Sequence, residues 1–300
     1  MRIFITGAGG RIGSGVAEHL QEVGHEVVAT DVAYRPELPF RLHLADLCDE
    51  QAVYPLIEGC DAVIHLGNHA HAHAVRPEQK VLTQNMAMNA NVYYAALQVG
   101  IRNIVGISSV QATLGYHSSR LRRGEMRVCH HPYLPFDGNL PRNTGNNSYA
   151  MSKSFGEQML EAMTTEYANL AAISVRLPWV EFVKRRHNWH YFKPLEPTDR
   201  RLAEGMTYIT SDDVATALRA MVEQPAAGYR QYFIAQSLVV KGMTNAEVAA
   251  KYLPDLEVRG PMDGGHGLVD LSAMQRDFNW QPEHPPIEVD LAADHVSAEA

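Results

Sequence analysis

Two patterns of hydrophobic positions alternate along the first half of the chain. Short apolar runs predict buried strands, and these runs are Ile3–Thr6, Val27–Thr30, Leu42–Leu44, Ala62–Leu66, Asn103–Ser108 and Ala171–Arg176. Between them, apolar residues recur at helical spacing in Arg11–Val23, Asp49–Glu58, Gln79–Val99 and Ser148–Tyr167. This alternation predicts an α/β fold, a doubly wound parallel sheet with helices on both faces.

The pattern changes after Arg176. The segment Leu177–Gly205 is rich in Pro, Trp, His and Arg without periodicity, which predicts a loop or lid. Order then returns as strands at Thr207–Ile209 and Gln231–Ala235, a helix over Asp212–Val222, and a capped helix start at Thr244–Glu247. We predict a first domain over residues 1–176 and a smaller region over 177–300, interleaved with sheet-completing elements at about 207–235.

Composition and charge exclude several classes of protein. The 300 residues carry 26 Lys and Arg against 34 Asp and Glu, so no basic field exists to attract nucleic acid or an anionic membrane. The cysteines, Cys48, Cys60 and Cys129, show no paired spacing, which argues against disulfides and a zinc site. With no leader and no run of about 18 apolar residues, we expect a cytoplasmic protein.

Three glycines follow the first predicted strand. Gly7, Gly10 and Gly13 form a Gly-x-x-Gly-x-x-Gly spacing that opens the first helix. Glycine permits a tight turn and the close approach of a pyrophosphate, which the free amides at a helix start attract. A dinucleotide site is the functional interpretation, and a tight turn without a ligand is the alternative.

Asp31 ends the second predicted strand. A carboxylate at that place accepts hydrogen bonds from the adenine ribose hydroxyls and repels a 2′-phosphate, which favours NAD over NADP. Arg35 could still pair with such a phosphate if its loop folded back. Asp31 is also an ordinary residue for a turn at a strand end.

Tyr149 and Lys153 lie near the start of a predicted helix, and their spacing puts both side chains on one face. A phenol has an ordinary pKa of about 10. It therefore needs a nearby ammonium group, and the charge of an oxidised nicotinamide, to act as a base at neutral pH. The pair suits proton transfer at a hydroxyl group, whereas on an exposed helix it is an ordinary solvated pair.

Taken in order, these motifs resemble the extended short-chain dehydrogenase/reductase family, also called the NAD-dependent epimerase/dehydratase family. Other matching segments are Asp46-Leu47, Val63–Gly67, Asn85–Ala96, Ile107–Ser109, Tyr208–Ala215 and Ser272–Pro282. The resemblance implies a Rossmann-type sheet with a dinucleotide-binding domain over 1–176 and a substrate-binding region over 177–300. It also implies a homodimer packed through the helices of Asn85–Val99 and Tyr149–Tyr167.

The resemblance further implies the site residues. Tyr149 would be the acid/base, Lys153 would bind the nicotinamide ribose and lower the pKa of Tyr149, and Ser109 would hydrogen-bond the reacting oxygen. The cofactor-binding residues it implies are Gly7, Gly10, Arg11, Ile12, Gly13, Asp31, Asp46, Leu47, Leu66, Gly67, Asn85, Tyr149, Lys153 and Pro178. The substrate-contacting residues it implies are Asn68, Ser109, Gln111 and Trp179, and it implies no metal.

The catalytic serine is open to more than one assignment. Counting back from Leu114-Gly115, where the family has Tyr-Gly, places the position on Val110 unless one residue is inserted. Serines at a strand end can instead cap backbone amides. The alternatives to Ser109 are Gln111 and Thr113, and Ser108 or Ser109 can simply end the strand as such a cap.

The substrate region carries two further signals. Within Phe182–Arg201 lie the cations Lys184, Arg185, Arg186, Lys193, Arg200 and Arg201, which suit an anionic substrate or form a solvated basic loop. Aromatic side chains after Arg176 could stack on a sugar or close a lid, and these are Trp179, Trp189, Tyr191 and Phe192. The alternating His69, His71 and His73 suit a solvated loop, substrate hydrogen bonding or, less well, a divalent metal.

The leading hypothesis is an NAD-dependent oxidoreductase that takes hydride from a carbinol carbon of a small sugar, sugar acid or polyol. The first alternative is an epimerase or dehydratase on a nucleotide sugar, which shares the same first step and retains its NAD. The second alternative is a dinucleotide-sensing protein without catalysis. The presence of both Tyr149 and Lys153 argues against a sensor, because a sensor needs no tuned phenol.

Overall fold

The computed structural model describes residues 1–114, 131–182, 194, 200–262 and 267–291. Seven strands form its main sheet, namely β1 (Arg2–Thr6), β2 (Glu26–Asp31), β3 (Leu42–Leu44), β4 (Ala62–His65), β5 (Asn103–Ser109), β7 (Ala171–Leu177) and β10 (Gly228–Phe233). The spatial order is β10-β7-β5-β4-β1-β2-β3, and every pairing is parallel. This is the predicted doubly wound Rossmann-type sheet, so the α/β prediction is confirmed.

Helices join these strands and cover both faces of the sheet. The described helices are α1 (Arg11–Glu22), α2 (Glu50–Ile57), α3 (Gln79–Gln98), α4 (Gln111–Leu114), α5 (Ser148–Glu166), α6 (Arg200–Ala203), α7 (Ser211–Glu223), α8 (Asn245–Tyr252) and α9 (Ser272–Phe278). None of the described helices is both long and apolar enough to span a lipid bilayer.

The alternation of side chains along a strand divides the core between the two faces of the sheet. Ile3 and Ile5 of β1 pack into one buried cluster with α1 and α7. Phe4, between them, packs into a second cluster that includes Val92 of α3 and Leu160 of α5. Each strand therefore needs apolar residues at consecutive positions, which explains the continuous apolar runs in the sequence.

Smaller strand pairs lie outside the main sheet. Their strands are β6 (Tyr133–Leu134), β8 (Trp179–Glu181), β9 (Thr207–Thr210), β11 (Gln236–Ser237), β12 (Val239–Val240), β13 (Glu257–Val258) and β14 (Glu288–Val289). Strand β9 pairs with β8 and β11, β12 pairs with β14, and β13 pairs with β6. Strand β10 begins three residues before the predicted start at Gln231, and the predicted capping box of Thr244 and Glu247 is present at α8.

The direction in which strands are added to the sheet reverses at β1, which has β2 on one side and β4 on the other. From β1 the chain first builds outward through β2 to β3, and it then crosses to β4 on the other side. At such a switch point the connections diverge on opposite faces of the sheet, which leaves a crevice at the carboxyl ends of the strands. The predicted site residues follow these same strand ends.

Candidate active site

A cavity of about 720 Å³ opens at the carboxyl edge of the main sheet. This volume lies within the usual range for sites that hold a cofactor or a small ligand. Among the predicted site residues, those that line it are Gly7, Gly10, Arg11, Ile12, Gly13, Asp31, Asp46, Leu47, Leu66, Gly67, Asn68, Ser109, Gln111, Tyr149, Lys153, Pro178 and Trp179. Asn85 is fully buried behind the wall and does not line the cavity.

The turn between β1 and α1 leaves no room for side chains at two of its glycines. Gly7 has a φ of +68°, and a Cβ atom there would lie 2.8 Å from the Gly67 backbone nitrogen. A Cβ at Gly13 would lie 2.1 Å from the Gly7 carbonyl oxygen. The close packing presents the first turn of α1 to the cavity, where helix amides have no intrahelical acceptors and can bind an anion.

Asp31 is held in place by the backbone of this turn. Its carboxylate accepts hydrogen bonds from the Gly9 amide at 3.0 Å and from the Ala33 amide at 3.2 Å. Asp46 and Leu47 continue the cavity wall beyond Asp31. Arg35 is exposed and is not among the residues that line the cavity.

Lys153 and Tyr149 lie together on the first turns of α5. Asn147 caps this helix, and its side-chain oxygen accepts from the amide of Tyr149 at 3.0 Å. The Lys153 ammonium donates to Asn68 Oδ1 at 2.9 Å and to the Ile107 carbonyl at 2.8 Å. It lies 5.7 Å from the centre of the Tyr149 ring.

Burial shifts both members of this pair toward their neutral forms. Burial raises the pKa of Tyr149, and a hydrogen bond with the Ser109 side chain acts in the opposite direction. Burial lowers the pKa of Lys153 to about 7, while the charge of Glu157 opposes that shift. The free site therefore holds a protonated phenol, and a further positive charge is needed to favour phenolate near neutral pH.

Ser108 and Ser109, the two serines that end β5, have different partners. The Ser108 hydroxyl donates to Glu157 at 2.6 Å, and Glu157 is itself paired with the buried Arg176 at 2.8 Å. Ser109 instead meets Tyr149, and its hydroxyl oxygen accepts from the Gln111 amide at 3.2 Å. Because consecutive strand residues point in opposite directions, only one of the two can face the tyrosine.

A polar network behind Lys153 was not foreseen from the sequence. His65 is buried in β4, with Nδ1 2.7 Å from the Thr6 hydroxyl and Nε2 2.9 Å from Asn89 Oδ1. Asn68 donates to the same Asn89 oxygen at 3.0 Å. Burial lowers the pKa of His65 to about 3. The signal in the sequence was a histidine inside an apolar strand, since a polar residue there requires buried partners.

The loop after β4 is held by Asn85. Its side chain accepts from the His69 amide at 2.7 Å and donates to the Ser152 hydroxyl at 2.9 Å. His69 also contacts Gln84, and His71 accepts from the His73 amide. Within the described ranges, no group of three or more His, Cys, Asp or Glu side chains is arranged to bind a metal.

Glu204 is a further cavity residue that the sequence did not indicate. It is 4% exposed, and its Oε1 lies 3.5 Å from the side-chain nitrogen Nε2 of Gln111. Burial raises the pKa of this carboxyl to about 8. It lies near the end of the segment Leu177–Gly205, which has no hydrophobic periodicity, so no sequence pattern singled it out.

The predicted lid residues Lys184, Arg185, Arg186, Trp189, Tyr191, Phe192 and Lys193, like Cys129, lie outside the described residues.

Comparison with known proteins gives consistent matches. The model of the NAD dependent epimerase/dehydratase family matches residues 3–188. A uronate dehydrogenase of Pseudomonas syringae pv. tomato is 26% identical over 231 residues, which cover 76% of this chain and 72% of that protein. An NAD-dependent glucose-6-phosphate dehydrogenase of Haloferax volcanii is 28% identical over 181 residues, covering 58% of this chain and 67% of that protein.

The fold is also found among solved structures. A UDP-glucose 4-epimerase from Bifidobacterium longum, solved with NAD+ and UDP, superposes with a TM-score of 0.68 over 95% of this chain and 94% of that chain. The two sequences are 16% identical, so this likeness concerns the fold alone.

Proposed function

Because this chain belongs to the NAD dependent epimerase/dehydratase family, we propose that it is an NAD-dependent dehydrogenase of a small sugar, sugar acid or polyol. It transfers hydride between a hydroxyl-bearing carbon of that substrate and nicotinamide, with Tyr149 as the acid/base. The observation that supports this most directly is the placement of Tyr149, Ser109 and Lys153 in the same cavity as the glycine turn and Asp31.

The residues around the cavity fit NAD along its whole length. The close backbone packing at Gly7 and Gly13 holds the glycine turn against the cavity, and the amides that open α1 are the proposed donors to the diphosphate. Asp31 accepts from the adenine ribose. The remaining proposed contacts are Asp46 and Leu47 at the adenine, and Leu66, Gly67 and Pro178 toward the nicotinamide. Asn85 acts indirectly, by holding the His69 backbone.

NAD, when bound, supplies the hydride acceptor and a positive charge on its oxidised ring. Tyr149 then removes the proton from the substrate hydroxyl as the carbon–hydrogen bond breaks, so that the carbinol becomes a carbonyl. Ser109, which already hydrogen-bonds Tyr149, also donates to the reacting oxygen. Lys153 is fixed by Asn68 and the Ile107 carbonyl, and its positive charge stabilises the phenolate.

The sugar class rests on the relatives and on the substrate side of the cavity. One relative is named for uronate and another for glucose 6-phosphate. Gln111 and Trp179 line the cavity on the side of Ser109, where an amide and an aromatic ring suit a polyhydroxylated ring. Asn68 also lines the cavity, and its side-chain oxygen accepts from the Lys153 ammonium.

The experiment is an assay of the purified protein with NAD and a panel of free sugars, sugar acids, polyols and nucleotide sugars, in which NADH and product are both followed. Formation of NADH in equal amount with a ketone or lactone supports the proposal. Product without net NADH would instead identify an epimerase or dehydratase. Tight NAD binding with neither turnover nor any effect of the panel on NAD affinity would identify a sensor.

A homodimer remains a prediction, and two exposed side chains support it. Tyr94 on α3 is 54% exposed and Phe155 on α5 is 37% exposed, and these helices pack side by side on one face of the sheet. Large exposed apolar groups on adjacent helices are typical of an interaction surface. Light scattering should give twice the chain mass for the native protein, and a smaller mass for Tyr94→Glu with Phe155→Glu.

A further inference from the structure

Glu204 and Gln111 form a polar pair on the cavity wall beside the reacting groups. Gln111 follows Ser109 by two residues, and its backbone amide donates to the Ser109 hydroxyl oxygen. Its side-chain nitrogen reaches Oε1 of Glu204 at 3.5 Å. Both side chains line the same cavity as Tyr149. The pair is therefore placed to contact a molecule whose hydroxyl group is held by Ser109 and Tyr149.

The backbone fixes the position of Glu204. The chain reverses immediately after it through two residues with left-handed conformations, Gly205 at φ +64° and Met206 at φ +54°. A Cβ at Gly205 would lie 1.8 Å from the Phe136 ring, so only glycine fits there. The Glu204 carbonyl accepts from the Thr207 hydroxyl at 2.6 Å. Met206 is not glycine and is strained in this conformation, and such strain is often found beside functional sites.

A carboxyl group in this place has a definite binding chemistry. It is 4% exposed, and burial raises its pKa to about 8, so near neutral pH it is largely a neutral acid. A neutral acid both donates and accepts a hydrogen bond, as does the amide of Gln111. A substrate hydroxyl can satisfy both functions. A carboxylate or phosphate can accept from the neutral acid, but it is repelled by the ionised form of Glu204, which predominates above about pH 8.

We propose that Glu204 is a specificity-determining residue, which hydrogen-bonds a hydroxyl group of a neutral polyhydroxylated substrate and disfavours substrates that carry a carboxylate or phosphate there. This inference rests on the proposed function for the identity of the reacting site. It narrows the substrate class to neutral sugars or polyols. The two relatives described above are named for anionic substrates, so it also separates this chain from them.

The test compares matched pairs of substrates that differ in one group, with NAD saturating and at about pH 9, above the pKa of Glu204. The pairs are D-glucose with D-glucuronate, D-galactose with D-galacturonate, and D-mannose with D-mannuronate. The enzymes are the wild type, Glu204→Gln, Glu204→Asp and the control Glu58→Gln, whose exposed carboxylate lies at the opposite edge of the sheet. For each of these enzymes we measure kcat/KM with each compound. Binding is measured separately as the Kd of each compound for the NAD complex of the Tyr149→Phe variant and of the Tyr149→Phe, Glu204→Gln double variant. Thermal unfolding checks that each variant folds.

We expect the wild type and Glu58→Gln to prefer the neutral member of at least one pair by about tenfold or more. Glu204→Gln keeps a donor and an acceptor but cannot ionise, so it should raise kcat/KM for the uronate and bring the ratio within a pair toward one. Glu204→Asp can still ionise and should retain most of the preference. An unchanged ratio in a folded Glu204→Gln enzyme overturns the inference, as does a wild-type preference for the uronates.

The binding measurement separates the two proposals. A preference for neutral sugars in Kd that depends on Glu204, without any turnover, supports the role of Glu204 and overturns the dehydrogenase assignment. Turnover without that preference overturns only the role of Glu204. If none of the six compounds binds or reacts, the inference is wrong.

Discussion

The Lys153 ammonium and the Asn68 side-chain oxygen are 2.9 Å apart, and this hydrogen bond joins helix α5 to the loop after β4. Asn68 in turn donates to the Gly67 carbonyl and to Asn89, so its amide cannot rotate freely. The lysine is therefore held by groups from two neighbouring strand ends, since its second acceptor is the Ile107 carbonyl. The ammonium group beside Tyr149 is therefore held in a defined position, unlike that of a flexible surface lysine.

Removing this partner should impair catalysis without unfolding the protein. We expect Asn68→Ala to lower kcat about tenfold, because Lys153 loses one of the two acceptors that it has among the described residues, and its position next to Tyr149 is then less defined. Asn68→Asp restores an acceptor and adds a negative charge, which favours the ammonium form of Lys153 and should move the pH profile of kcat to higher pH. A pH profile of Asn68→Asp that matches the wild type would contradict this role.

Replacement of Tyr149 by Phe removes only the phenolic oxygen. We expect NADH formation to fall by about 10²- to 10⁴-fold, the usual contribution of a general acid or base. The Kd for NAD and the thermal midpoint should change little, because the tyrosine lines the cavity and its hydroxyl hydrogen-bonds the Ser109 side chain. Tyr252→Phe on α8 is the matched control and should retain full turnover. Substantial activity in Tyr149→Phe would remove this residue from the mechanism.

The burial of Lys153 predicts a pH dependence of stability. Burial lowers the pKa of Lys153 from 10.5 to about 7, so between these values the unfolded chain binds more protons than the folded one. The free energy of unfolding should then rise with pH in that window, by at most about 1.4 kcal/mol per unit. Lys153→Met cannot titrate. Urea unfolding should show that the free energy of unfolding of the wild type increases relative to that of this variant from pH 7 to 9. A constant difference in free energy between the two would contradict a lowered pKa of Lys153.

Two glycines on helix α1 offer a matched pair of variants. A Cβ at Gly13 would lie 2.1 Å from the Gly7 carbonyl oxygen, whereas a Cβ at Gly15 meets nothing within 4 Å. Gly13→Ala should therefore distort the turn and raise the Kd for NAD at least about tenfold. Gly15→Ala should leave binding unchanged and stabilise the protein by about 0.5–1 kcal/mol, because alanine is the better helix former. Calorimetric titration and thermal unfolding measure both effects.

Asp31 should control the choice between NAD and NADP. Asp31→Asn keeps an acceptor for the Gly9 amide but removes the negative charge that opposes a 2′-phosphate. We expect the ratio of kcat/KM for NAD over NADP to fall about tenfold. The control is Asp61→Asn, whose carboxylate accepts from the Arg2 amide at the opposite edge of the sheet. An unchanged ratio would show that Asp31 only shapes the turn.

Local sequence patterns were sufficient for the sheet and for part of the site. Strand and helix periods depend on residues a few positions apart, and so do the glycine spacing after β1 and the Tyr149–Lys153 spacing on α5. For this reason the predicted elements agree with the structure to within a few residues at their ends, and nearly all predicted site residues line one cavity.

Tertiary structure alone decided the remaining features. Ser108 and Ser109 are indistinguishable in the sequence, and they differ because one faces Glu157 and the other Tyr149. Glu204 becomes a cavity residue only because the chain reversal at Gly205 sets it against Gln111, 93 positions away. No local pattern records such a contact, since burial and the pKa of a carboxyl group depend on the atoms that surround it and not on its neighbours along the chain.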